Sequence, residues 1–253
     1  MLPSGYSIAP NSGGGGFPFP RPAEGDGNLC FTKGGPRGYK ETMETSGPET
    51  GILTRRHWVF DLDGTLTLPV HDFAAIRNAL AVPDGADILG HLGSLPRKEA
   101  WRHYERLDAM ERELVDRTDA APGAVELVEL LAGRGCRLGI VTRNSREIAL
   151  LTLAHIGLAA YFHEQEIIGR DEAIPKPDPE GIRLLARRWG TAPQQLVMVG
   201  DYLYDLQAGQ AAGAGTIHVH GDLERRWPEW TDLCVGSLAE LSARVRTPAL
   251  PAA

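Results

Sequence analysis

Three short apolar runs constrain this chain more than any other feature. Trp58-Val59-Phe60, Leu138-Gly139-Ile140-Val141 and Leu196-Val197-Met198-Val199-Gly200 lie far apart, and each stops on a polar residue: Asp61, Thr142 and Asp201. Short runs of this kind, rich in β-branched and aromatic residues and bounded by turn formers, predict buried strands. The stretches between them carry helical spacing. Strands separated by helices predict βαβ units, hence an α/β fold with a doubly wound, mostly parallel sheet. Ligands in such sheets bind beyond the carboxyl ends of the strands, so Asp61, Thr142 and Asp201 are expected to converge on one site.

The full pattern predicts strands over His57–Phe60, Cys136–Val141, Glu166–Ile168, Leu196–Val199 and Thr216–Val219. Helices are expected over 71–80, 97–117, Pro122 to about Ala132, 180–189 and Leu203–Ala212, with one more running from a capping box of Asn144 and Glu147 to about His155. In 97–117, Trp101, Tyr104, Leu107, Met110 and Leu114 recur at intervals of three and four, which predicts an apolar face. Trp58, Phe60 and Trp101 are expected in the core or an interface.

Composition separates the N-terminus from the rest. Gly and Pro make up 18 of the first 50 residues but only 30 of the other 203, and Leu2, Ile8 and Leu29 are the sole Leu, Ile or Val before residue 51. Such a stretch buries too little apolar surface to offset its ordering entropy, so residues 1–50 are expected to be a disordered tail, with Met43 as an alternative start. The net charge of −7, without a cluster of Lys and Arg, argues against a nucleic-acid partner. No apolar run approaches the ~18 residues of a membrane span. Cys30, Cys136 and Cys234 are odd in number and widely spaced, with neither zinc nor disulfide spacing, which fits a reducing cytoplasm.

The chemistry-bearing residues cluster at the predicted strand ends. Asp61 and Asp63 are two apart, so on a continuing strand both side chains share a face, and Gly64 permits a sharp turn after them. Two close carboxylates repel unless a cation or a shared proton relieves them, which invites Mg²⁺, although Asp-Gly also marks an ordinary turn. Thr142 offers a hydroxyl to a phosphoryl oxygen, or is simply a β-branched strand residue. Lys176 sits between Pro175 and Pro177, which would present its ammonium from a stiff loop; an exposed loop lysine is the plainer alternative. Asp201 and Asp205 would complete an oxygen-rich Mg²⁺ site with Asp61 and Asp63, or Asp201 would cap the helix that follows. His218 and His220 alternate on one strand, but no third ligand accompanies them.

Taken in order, Asp61-x-Asp63-Gly64-Thr65, Thr142, Lys176-Pro177 and Gly200-Asp201-x₃-Asp205 resemble the four motifs of the haloacid dehalogenase-like superfamily. The likeness spans roughly residues 55–225 and is greatest to the phosphoglycolate phosphatase and β-phosphoglucomutase branch. It implies a Rossmann-like catalytic core over 51–67 and 119–253, with a helical cap inserted over 68–118. It also implies that Asp61 is the nucleophile, that Asp63 is the general acid and base, and that Thr142 and Lys176 hold the phosphoryl group. Mg²⁺ would be bound by Asp61, Asp63, Asp201 and Asp205. Arg143 follows Thr142 where Asn or Gly is common, and is expected to touch the substrate. Tyr202 stands where a small Ser or Thr is common.

Dehalogenases of this type lack the second Asp of the first motif, so Asp63 favours phosphoryl transfer. The expected activity is Mg²⁺-dependent hydrolysis of a small phosphorylated metabolite through an aspartyl-phosphate. A phosphomutase with the same motifs, and a catalytically idle interaction protein on the same fold, are the alternatives.

Overall fold

The computed structural model describes residues 48–222 and 226–247. The expected tail and Met43 therefore lie outside the described residues, except that helix α1 (Pro48–Leu53) begins inside the stretch read as tail.

Six strands form one parallel sheet: β1 (His57–Phe60), β2 (Arg137–Val141), β3 (Ile167–Ile168), β4 (Leu196–Gly200), β5 (Gly215–Val219) and β6 (Leu233–Val235). Their order is β3-β2-β1-β4-β5-β6, so the chain winds outward from β1 in both directions. The direction of winding reverses between β1 and β4, and that is where a doubly wound sheet leaves its ligand crevice. Phe60 pairs with Ile140 on one side and with Val199 on the other. The backbone N–H of Asp61 then donates to Val199 O at 2.9 Å, which carries the first motif just past the sheet edge.

Alternation along the strands divides the core in two. Trp58 and Phe60 face Leu127 and Leu131 of α5 (Ala124–Gly133), Ala149 and Leu153 of α6 (Arg146–His155) and Leu241 of α9 (Leu238–Arg246). Val59 and Met198 face Ile182 and Leu185 of α7 (Glu180–Trp189) and Ala208 of α8 (Leu203–Ala212). The period of two is what buries opposite faces of one strand.

Between β1 and α5 the chain leaves the sheet to build α2 (Phe73–Ala79), α3 (Ile88–Ser94) and α4 (Arg97–Leu114). These helices share a small core of their own, including Ile76, Leu80, Leu92 and Leu107. Both ends of the insert run side by side: Leu68 N donates to Asp119 O and Ala121 N to Leu66 O, each at 2.9 Å, with Thr67 bridged to Ala120.

Several expectations are corrected. The cap of α6 is Ser145, whose hydroxyl accepts from Ile148 N, and not Asn144. Helix α5 starts at Ala124 rather than at Pro122. Trp101 is exposed, at 56%, while Glu111 is buried. At 100° per residue Trp101 stands roughly 120° around α4 from Leu107, whereas Glu111 lies one turn beyond Leu107 and shares its inward face. Besides α1, three elements had no counterpart among the expectations. Helix α3 has only seven residues with two glycines, β6 only three residues, and α9 follows from Ser237 accepting from Glu240 N.

Candidate active site

Asp61 and Asp201 at the carboxyl ends of β1 and β4, Asp205 in the first turn of α8 and Lys176 from the loop between β3 and α7 come into contact range. Lys176 is almost completely buried and is not an exposed loop lysine. Its Nζ donates to Asp61 Oδ1 at 2.5 Å and to Asp205 Oδ1 at 2.6 Å. Asp201 does not cap α8; its Oδ1 accepts from Thr65 Oγ1 at 2.9 Å, and the same hydroxyl lies 3.4 Å from Asp61 Oδ2. Asp205 Oδ2 instead accepts from Tyr202 N at 3.0 Å, which fixes the first turn of α8.

Gly64 lets Asp201 come this close. Its φ is +87°, and a Cβ there would stand 2.7 Å from Asp201 Oδ2. Any other residue would be strained in conformation and would also collide with the carboxylate.

Asp63 leans toward the opposite wall. Its Oδ2 accepts from Asn144 Nδ2 at 2.7 Å, and His71 Nδ1 of the insert lies 3.9 Å from Oδ1. Thr142 is buried, receives Asn144 N on its hydroxyl at 3.1 Å, and donates its own N–H to Ile168 O at 3.0 Å. Asn144, which donates to Asp63, is a candidate site residue that the sequence did not single out. Its position two residues after Thr142 was the available signal, but that same position suited a helix cap.

Arg143 is engaged on the protein itself. Its guanidinium donates to Asp87 of the insert and to the backbone carbonyl of Lys176, and lies 5.0 Å above the Tyr204 ring. His218 is fully buried, with Nε2 3.2 Å from Asp201 O, and stacks on His220 at 5.7 Å. Among the described residues, the group with metal-binding geometry is Asp61, Asp201 and Asp205, whose oxygens lie within 4.8 Å of one another, so the histidine pair takes no part in it.

Four carboxylates lie near one ammonium here, and the titration of Asp63, Asp201 and Asp205 registers the imbalance. Burial first, and the adjacent Asp61 charge second, push Asp63 up to about 7. Burial, then Asp61 and Asp205, push Asp201 up; burial, partly offset by Lys176, also raises Asp205. Burial acts to lower Lys176, but Asp205 and Asp61 outweigh it and the ammonium is pushed up from the ordinary lysine value. An all-oxygen donor set with surplus negative charge fits a hard divalent cation such as Mg²⁺.

Comparison with known proteins agrees with this arrangement. The family model for haloacid dehalogenase-like hydrolases matches residues 56–213, which takes in every residue of the crevice. The chain belongs to that family of enzymes. It is 33% identical over 180 residues to a haloacid dehalogenase-like hydrolase domain-containing protein of Arabidopsis thaliana, covering 66% of this chain and 72% of that one. It is 32% identical over 208 residues to the phosphoglycolate phosphatase of Chromobacterium violaceum, covering 72% and 92% respectively. A hydrolase from Pseudomonas syringae has the same fold, with a TM-score of 0.62 at 21% identity over 76% of this chain and 98% of that one.

Proposed function

We propose that the protein hydrolyses a small phosphomonoester with the help of Mg²⁺, through an aspartyl-phosphate on Asp61. The observation that carries this reading is Lys176 Nζ seated between Asp61 Oδ1 and Asp205 Oδ1 at the strand ends, with Asp63 beside them. Lys176 holds the Asp61 carboxylate in place, and its charge attracts the phosphoryl group. Thr142, at the end of β2, offers a hydroxyl to a phosphoryl oxygen.

In the first step an Asp61 oxygen bonds to phosphorus as the bond to the leaving oxygen breaks. Asp63, raised to about 7, delivers the proton that this oxygen needs. In the second step Asp63 takes a proton from water, the water oxygen bonds to phosphorus, and the bond to Asp61 breaks, releasing inorganic phosphate. Asn144 keeps Asp63 aimed throughout.

The Asp61 and Asp201 carboxylates and the Asp63 backbone carbonyl would hold Mg²⁺, with Asp205 behind them. The cation would supply charge neutralisation for the phosphoryl oxygens.

Residues 68–118 are read as a cap over the site, which limits the leaving group to a small metabolite; the phosphatase named among the relatives supports that class. A substrate group reaching Arg143 would compete with Asp87 for its guanidinium. The thiols of Cys136 and Cys234 are unpaired, in keeping with a cytoplasmic setting, and no described helix is long and apolar enough to cross a membrane. The test is a screen of small phosphomonoesters with and without Mg²⁺, scored by released phosphate. Release from at least one of them, dependent on Mg²⁺, is expected; no release from any would refute the reading.

A further inference from the structure

Arg170 follows β3 and belongs to none of the motifs, yet its side chain is only 3% exposed. Its guanidinium donates to both oxygens of Glu111 on α4, at 3.2 and 2.8 Å, and also contacts Asp108 one turn earlier. The same guanidinium donates to Arg143 O at 3.0 Å, and the Arg170 backbone N–H donates to Asn144 O at 2.9 Å. Gly169 makes the seat: a Cβ there would lie 2.7 Å from Asn144 O and 2.6 Å from Arg146 N. One buried side chain thus grips a helix of the insert and the loop that carries Thr142 and Asn144.

We propose that Arg170 is a positioning residue that couples docking of the insert, through Glu111, to the geometry of loop 142–145 and hence to the aim of Asp63. Glu111 is on the insert and Arg170 is on the core, so the pair exists only while the insert lies down. A buried ion pair contributes little net stability compared with an apolar contact, but it admits one geometry. With Glu111 in place the planar guanidinium is fixed and holds Arg143 O. With Glu111 gone it loses its two-pronged partner, and the carbonyl of 143, next to Asn144, loses a rigid anchor. Asn144 then aims less accurately at Asp63. Lysine cannot replace this function, because one ammonium cannot present the planar fork to Glu111 while reaching the loop.

The catalytic part rests on the phosphatase reading above, so the test has two independent readouts on the full chain. The first is hydrogen exchange of backbone amides in Arg170→Lys, Arg170→Met and Glu111→Gln. Each variant is expected to exchange faster at residues 143–146 while β1 and β4 stay as protected as in the parent. The second is hydrolysis of p-nitrophenyl phosphate with Mg²⁺. Here kcat should fall by about 10- to 100-fold, the scale of a displacement near 1 Å at a reacting group, with KM within about 3-fold. The double variant Arg170→Met with Glu111→Gln should be no slower than Arg170→Met alone, as expected of two residues acting as one unit.

Should Arg170→Met fail to fold, Arg170→Lys and Glu111→Gln keep both readouts available. Unchanged exchange at 143–146 in the folded variants would overturn the coupling, whatever the chemistry. If the parent releases no phosphate, the phosphatase reading fails while the exchange experiment still decides the coupling. Faster exchange with parental kcat would overturn the catalytic role of the positioning.

Discussion

Asn144 Nδ2 lies 2.7 Å from Asp63 Oδ2, although 81 residues separate the two in the chain. The donor comes from the loop after β2 and the acceptor from the loop after β1, adjacent strands that share register from His57 to Phe60. A hydrogen bond donated to a carboxylate favours its ionised form; Thr142 opposes the upward push of burial on Asp63 in this way, and the amide of Asn144 at 2.7 Å is expected to act in the same direction.

Asn144→Ala is therefore expected to raise Asp63 further above about 7. The basic limb would move to higher pH, and the limb that needs ionised Asp63 would lose activity at neutral pH by about 10-fold or more, part of the usual 10²–10⁴ of general acid–base catalysis. A pH profile of kcat/KM checks the direction; a profile that moves toward acid contradicts it.

Asp61→Asn keeps the size of the side chain but removes the nucleophilic oxygen charge and the ion pair with Lys176. Turnover should fall by at least ~10³, the scale of losing covalent catalysis, in a protein that still folds. Phosphate release at near-parental rate by a folded variant would dismiss Asp61 as nucleophile.

Gly64→Ala places a methyl 2.7 Å from Asp201 Oδ2 at φ +87°. The conformation alone costs about 1–3 kcal/mol. Thermal melts should show that loss, and titration calorimetry should show weaker Mg²⁺ binding because Asp201 is displaced. Parental melting with parental Mg²⁺ affinity would mean the turn relaxes around the methyl.

Removing divalent cations should change how stability depends on pH. Asp63 moves from an ordinary 3.8 to about 7 on folding, so the folded state holds this proton more tightly than the unfolded chain does. The resulting stabilisation is complete below the unfolded value and is lost as pH rises through about 7. In chelator, the melting temperature should fall by several degrees between about pH 5 and pH 8 for this reason. With Mg²⁺ present the carboxylates have a counter-charge and the fall should be smaller. Identical curves with and without Mg²⁺ would speak against a cation at these residues.

Strand ends were legible because their signal is local: Trp58-Val59-Phe60 ahead of Asp61, and Leu196–Gly200 ahead of Asp201, combine burial and a turn within a few residues. Lys176 was legible only through its neighbours Pro175 and Pro177, which say nothing of its burial between two carboxylates. The rest depends on tertiary contact. Arg143 was expected to touch the substrate, but its contact with Asp87, 56 residues away, had no local signal. Glu111 was one charge among several on α4 until Arg170, 59 residues on, accounts for its burial. Helix α3 gave too short and too glycine-rich a pattern to register as a period.

The paired linkers at Thr67 and Ala120 have a consequence for how such a protein changes over generations. Because the insert leaves and returns at one point, the sheet is indifferent to how many residues are spent between. Doubling a closed excursion costs only about 0.6 kcal/mol in chain entropy. The length of the excursion is thus free to drift, while β1 and β4 keep the register that pairs Phe60 with Val199. The residues that such drift must keep are those of the excursion that touch the core, Asp87 on Arg143 and Glu111 on Arg170.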